Sequence, residues 1–97
     1  MAAESATRPK RRILRYEVPV DDCFHEFALS GEVLHVACRD PQAAKVEFWA
    51  LDTGGPPVQR GFVVAGTGQP LPWPPGARYV GTALAANGLV WHLLEAP

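Results

Sequence analysis

Residues Arg60 to Glu95 read RGFVVAGTGQPLPWPPGARYVGTALAANGLVWHLLE, and this stretch decides the fold. Its first part belongs to an apolar, β-branched run from Val58 to Ala65, which predicts a strand broken by Gly66-Thr67-Gly68. Gln69 to Gly76 contains four prolines, so it is expected to be a stiff, extended surface loop. Arg78 to Leu84 predicts a further strand. Asn87-Gly88 then gives the strongest hairpin signal in the chain, because both residues tolerate the positive φ of a type I′ turn. The last strand, Leu89 to Leu94, is therefore expected to fold back on Arg78 to Leu84.

Working outward, Arg12 to Val18 alternates cleanly: Leu14, Tyr16 and Val18 share one face, and Arg15 and Glu17 the other. Pro19 and Asp21-Asp22 close that strand. Phe24 to Leu29 and Val33 to Cys38 flank Ser30-Gly31-Glu32 and predict an antiparallel hairpin. Gln42 to Lys45 suggests one helical turn. Val46 to Leu51 is apolar on both faces, as in a central strand covered from both sides. Asp52 to Pro57 is a turn cluster. Trp49 and Trp91 are expected to anchor the core. No 3.6-residue period is sustained, so the class is all-β. The chain is expected to form a small single-domain antiparallel sandwich or partly closed barrel of about seven strands.

The chain has 97 residues, one domain's worth. The division is a flexible basic arm over 1–11 and a single β domain over 12–97. Arg8, Lys10, Arg11, Arg12 and Arg15 are five of the nine cations, whereas the body from Tyr16 onward is acidic. Such a body repels a phosphate backbone, so nucleic-acid binding is expected only through the arm. No apolar run reaches the ~20 residues of a membrane-spanning helix and no secretory signal is present, which predicts a cytoplasmic protein without a membrane partner. Cys23 and Cys38 are too few for a disulfide framework and are expected to be free, buried thiols.

Candidate chemistry is sparse. Gly66-Thr67-Gly68 invites comparison with a phosphate loop, but Pro70 and Pro72 follow where a Gly-Lys-Ser/Thr sequence and a helix are required. A tight turn or bulge is the plainer reading. Cys23, His25, His35 and Cys38 supply zinc-type ligands, yet His35 and Cys38 point to opposite faces of a regular strand, so no metal site is expected. Nothing marks a cysteine or serine as an activated nucleophile, and no catalytic residue or cofactor is assigned. Trp73 stands apart, amid Pro72, Pro74 and Pro75. It either lids its own sheet or offers an anchor to a partner. Arg60 and Arg78 flank the same loop and would suit an anionic guest if they converged; Arg39 is the third arginine of the body. The expected ligand- or partner-binding set is Trp73, Arg60, Arg78, Gly66, Thr67, Gly68 and Gln69.

Five blocks in order carry a resemblance: Ile13 to Pro19, Glu47 to Leu51, Gly66 to Leu71, Tyr79 to Thr82, and Val90 to Glu95. Over about Ile13 to Glu95 the chain resembles a family of small uncharacterised proteins of tailed bacteriophages and prophages. The resemblance implies a compact β domain and a phage-type source, hence the cytoplasm of a bacterial host; it implies no mechanism. The basic arm and the two cysteines lie outside the pattern. By analogy of source and size, the expectation is a non-catalytic binding module, homo-oligomeric, that sequesters an anionic, nucleotide-like small molecule or blocks a host protein. The alternative is a virion accessory protein of capsid or tail.

Overall fold

A computed structural model describes residues 10–71 and 75–97. Seven strands are formed: β1 (Arg12–Pro19), β2 (His25–Leu29), β3 (Val33–Ala37), β4 (Lys45–Asp52), β5 (Val58–Gly66), β6 (Arg78–Leu84) and β7 (Val90–Glu95). They make two antiparallel sheets, ordered β1-β4-β3 and β2-β5-β7-β6. The sheets do not close into a barrel, so the fold is an all-β sandwich. Among the described residues, no helix is long and apolar enough to cross a membrane.

The alternation in β1 carries straight into packing. Leu14, Tyr16 and Val18 pair with Ala50, Phe48 and Val46 of β4, and this layer faces Phe27, Phe62, Val64 and Leu93 of the second sheet. Tyr16 stacks on Phe48 (centroids 5.0 Å, 18°), and Phe48 meets Phe62 at 4.9 Å across the layers. Phe27 sets its ring edge-on to Tyr16 (5.6 Å) and Phe48 (5.4 Å). Offset and T-shaped contacts of this kind add to the apolar area the rings bury. At the β3/β6 seam the sheets approach so closely that a Cβ on Gly81 would lie 2.7 Å from Val36 Cγ2.

Several expectations require correction. Ser30-Gly31-Glu32 does not close a hairpin: β2 pairs with β5 and β3 with β4, so the chain crosses here from one sheet to the other. The reason for glycine is proximity, since a Cβ on Gly31 would collide with the carbonyl oxygen of Leu51. The corner is latched by Leu51 N donating to Glu32 O (2.9 Å), Thr53 N to Ser30 Oγ (2.9 Å) and Ser30 Oγ to Asp52 Oδ1 (3.0 Å).

The β6–β7 hairpin exists, but only Gly88 has positive φ (87°). Ala85 and Leu89 close a three-residue loop, with Gly88 N donating to Ala85 O (3.0 Å) and Ala85 N to Leu89 O (2.9 Å). This is a type I turn followed by a left-handed glycine, in place of type I′. Gln42 to Lys45 is not helical. The Asp40 carboxylate accepts from the amides of Gln42 (3.3 Å) and Ala44 (2.9 Å), and Ala43 takes φ 54°.

Trp49 is not a core anchor. Val46, Phe48 and Ala50 take the inner face of β4, which leaves Glu47 and Trp49 on the outer face, where side chains rather than a second layer cover them. Trp91 does pack against the core, with its Nε1 buried and without a hydrogen-bond partner among the described residues. Both cysteines are free, but only Cys38 is buried; Cys23 is exposed.

Candidate ligand-binding cleft

The outer face of the second sheet carries its own apolar patch, Val63, Ala65 and Leu94. The chain leaving β5 turns back at the edge of this patch. Gly66 to Gln69 form a β-turn in which Gln69 N donates to Gly66 O (3.1 Å) and Gly68 takes φ 83°. Positive φ at the third position alone defines a type II turn, and this is what requires a glycine there. The Gln69 side chain fastens the turn twice: its Oε1 accepts from Gly66 N (2.8 Å) and its Nε2 donates to Asp22 Oδ1 (2.6 Å).

Opposite the turn, β6 contains a bulge. Tyr79 pairs with Leu94 and Gly81 with Leu93, so one residue is inserted between them. The bulge sets Tyr79 on the outer face beside His92, with ring centroids 5.8 Å apart. Between turn and bulge lies a cleft of about 300 Å³, at the lower end of the range for small-molecule sites. Ala65 and Leu94 form its floor, Leu71 and Tyr79 its walls, and Thr67 and His92 its polar end.

His92 is fixed at both nitrogens. Its Nε2 lies 2.7 Å from Thr67 Oγ1 and its Nδ1 2.8 Å from the Tyr79 hydroxyl, which in turn bonds Thr82 Oγ1. In either neutral tautomer one ring nitrogen donates and the other accepts, and the hydroxyls rotate to match. The network holds the ring in place, with Leu71 (56% exposed) and Tyr79 (53%) presenting apolar surface at the rim.

Of the residues the sequence points to, Gly66, Thr67, Gly68 and Gln69 come together at this cleft. Trp73 lies outside the described residues. Arg60 and Arg78 do converge, but on a carboxylate of the protein itself. Arg60 Nε and Nη2 donate to Glu95 Oε2 (2.6 Å) and Oε1 (2.9 Å), and Arg78 Nη2 donates to Oε1 (2.5 Å). The Arg60 hydrogen bond is the main influence holding the Glu95 carboxyl below its usual range; burial opposes it and Arg78 assists. Arg39 lies on the other sheet, bonded to Glu47.

Tyr79, His92 and Leu71 are the residues that reading the sequence missed. His92 and Tyr79 fall on one face only because of the bulge, which has no signature in the sequence. The four candidate zinc ligands are split between sheets, Cys23 and His25 at β2 and His35 and Cys38 at β3. Among the described residues no group of three or more ligating side chains forms.

No curated protein and no solved structure matches the chain. Residues 9–97 match the family described as Domain of unknown function (DUF7352), and the chain belongs to that family.

Proposed function

We propose that the protein is a non-catalytic binding module whose ligand site is the cleft between the Gly66–Gln69 turn and Tyr79. The observation that carries this reading is an apolar floor ending in a fixed imidazole–hydroxyl pair, His92 and Thr67. That combination suits a small planar molecule of nucleoside size: its flat face lies against Leu71 and the Tyr79 ring, and one polar edge meets His92. A strongly anionic guest has less support. Glu95 occupies Arg60 and Arg78, and the amides of Gly66 and Gln69 are bonded within the turn. The phage resemblance favours sequestration of such a molecule in a bacterial host over its turnover.

A Thr–His contact of 2.7 Å is also what a nucleophile and its base would show. Here Tyr79, rather than a carboxylate, occupies the second ring nitrogen, which favours binding over catalysis. Thermal unfolding in the presence of a panel of nucleosides, their monophosphates and free bases tests the proposal. Nucleosides should raise the melting temperature, and the effect should vanish in the double variant Tyr79→Ala/His92→Ala. No shift across the panel, or an undiminished shift in that variant, contradicts it.

A further inference from the structure

Among the described residues β1 forms one edge of the first sheet, with β4 on one side and no strand on the other. At 8 residues it is longer than the other edge strands, β2, β3 and β6. Its free hydrogen-bonding groups follow from the register. Val20 N donates to Ala44 O (3.0 Å), continuing the ladder that pairs Val18 with Val46. The even-numbered residues of β1 therefore bond β4, and in an antiparallel ladder the intervening residues turn their backbone groups the other way. The amides of Ile13, Arg15 and Glu17, and the carbonyls of these residues and Pro19, point away from β4. Such an edge is a template for another strand.

The side chains of β1 fit a second copy of β1, antiparallel and centred on Tyr16. In that register Arg15 stands across from the partner's Glu17, and Glu17 across from the partner's Arg15. Their bonds within the chain leave atoms free for this contact. Arg15 reaches Glu17 and Glu47 through Nη1, and Glu17 meets Arg15 and Lys45 through Oε2. Nε and Nη2 of Arg15 and Oε1 of Glu17 remain. Sliding the copies by two residues sets Arg15 against itself in one direction and Glu17 against itself in the other, and like charges directly opposite oppose pairing. Sliding by one residue exchanges the faces.

Apolar groups match in the same register. Leu14 and Tyr16 face the second sheet yet stay half-buried in one chain. Here Leu14 meets the partner's Val18, and the two copies of Tyr16 meet each other. On the outer face Ile13, 63% exposed, meets the partner's Pro19. Proline has no amide to donate, but its carbonyl accepts from Ile13.

We infer that β1 is a homodimer interface, in which two copies join edge to edge across a two-fold axis at Tyr16. The three-stranded sheet becomes continuous through both copies. The two-fold occupies both β1 edges, so the assembly closes at two chains. This interface lies at the rim of the first sheet, away from the Tyr79–His92 cleft on the outer face of the second. Neither reading depends on the other.

Analytical ultracentrifugation of the full chain at about 100 μM, above the micromolar constants of weak interfaces, tests the inference. A reversible species of twice the chain mass is expected. Glu17→Lys sets cations opposite one another at both symmetry-related positions and should weaken the dimer about tenfold or more. Ile13→Pro removes an amide that β4 does not use, so it should weaken the dimer while leaving the dilute protein folded. Hydrogen exchange gives a second readout on the unsubstituted chain. Protection of the Ile13, Arg15 and Glu17 amides should rise with protein concentration, while Tyr16 and Val18, bonded to β4, stay protected throughout. A monomer at the same concentration, undiminished dimerisation of Glu17→Lys, or concentration-dependent protection at β2 or β6 in place of β1 would each overturn the inference.

Discussion

Arg60 Nε lies 2.6 Å from Glu95 Oε2, and the same guanidinium donates through Nη1 to the Gly31 carbonyl oxygen at 2.9 Å. One side chain therefore joins β5, β7 and the crossover between the sheets. Both partners are largely buried, at 20% and 11% side-chain exposure, whereas Arg78, on the same carboxylate, is 67% exposed. Arg60→Ala leaves Glu95 buried with one exposed partner and is predicted to cost about 3 kcal/mol. Arg78→Ala should cost less than about 1 kcal/mol. Urea unfolding of the two variants measures the difference; equal effects would show that the Gly31 link and burial contribute nothing.

Stability should fall on acidification in a window set by Glu47. Hydrogen bonding from Arg39, against the opposing influence of burial and with help from Arg15, lowers its pKa from 4.5 to about 2. A lowered folded-state pKa stabilises the fold above the unfolded value, and that contribution disappears as pH falls from about 4.5 through about 2. The part belonging to Glu47 is on the order of 3 kcal/mol. Glu47→Gln should remove this component and flatten the acid limb of a stability–pH profile. An unchanged limb would mean that the Arg15–Glu47–Arg39 cluster does not persist in solution.

Two glycines should respond differently to alanine. At Gly31 the added Cβ meets the Leu51 carbonyl oxygen, a backbone atom that cannot yield without moving β4. At Gly68 there is open space, but φ is 83°. Gly68→Ala should cost about 1 kcal/mol for the left-handed backbone alone. Gly31→Ala should cost several times more, of the order of 3 kcal/mol, because a close-packed interior transmits the clash. Melting temperatures of the two variants give the ranking.

The two thiols should separate kinetically. Cys38 is buried, its Sγ donates to Lys45 O at 3.4 Å, and burial raises its pKa above the ordinary thiol value. Cys23 is exposed. A chromogenic disulfide reagent should titrate one thiol quickly in the native protein and the second only on unfolding. Two fast thiols would contradict the packing of the β3–β4 connection.

Local pattern fixed the strands but not their neighbours. The alternation of Leu14, Tyr16 and Val18 and the Asn87-Gly88 turn each specify structure within a few residues, and both appear as expected strands and hairpin. The destination of β2 was not legible at Ser30-Gly31-Glu32. A short glycine turn suits either a hairpin or a crossover, and the choice falls to Phe27, which packs with Tyr16, Phe48 and Phe62. The outward position of Trp49 is hidden for a related reason: β4 looks apolar on both faces only if Glu47 is ignored, and arginines from β1 and beyond β3 cover that carboxylate. The turn half of the cleft stood out through its glycines. The β6 bulge and the pairing of Arg60 with Glu95 are long-range outcomes that no local spacing encodes.

The claim that the Tyr79–His92 cleft is a binding site is tested most directly by amide shift mapping during titration with the nucleoside that stabilises the protein best. Saturable shifts are expected at Gly66 to Gln69, Tyr79 and His92, lost in His92→Ala while the remaining spectrum stays native. Shifts centred elsewhere on the sandwich, or unaltered binding by His92→Ala, would contradict it.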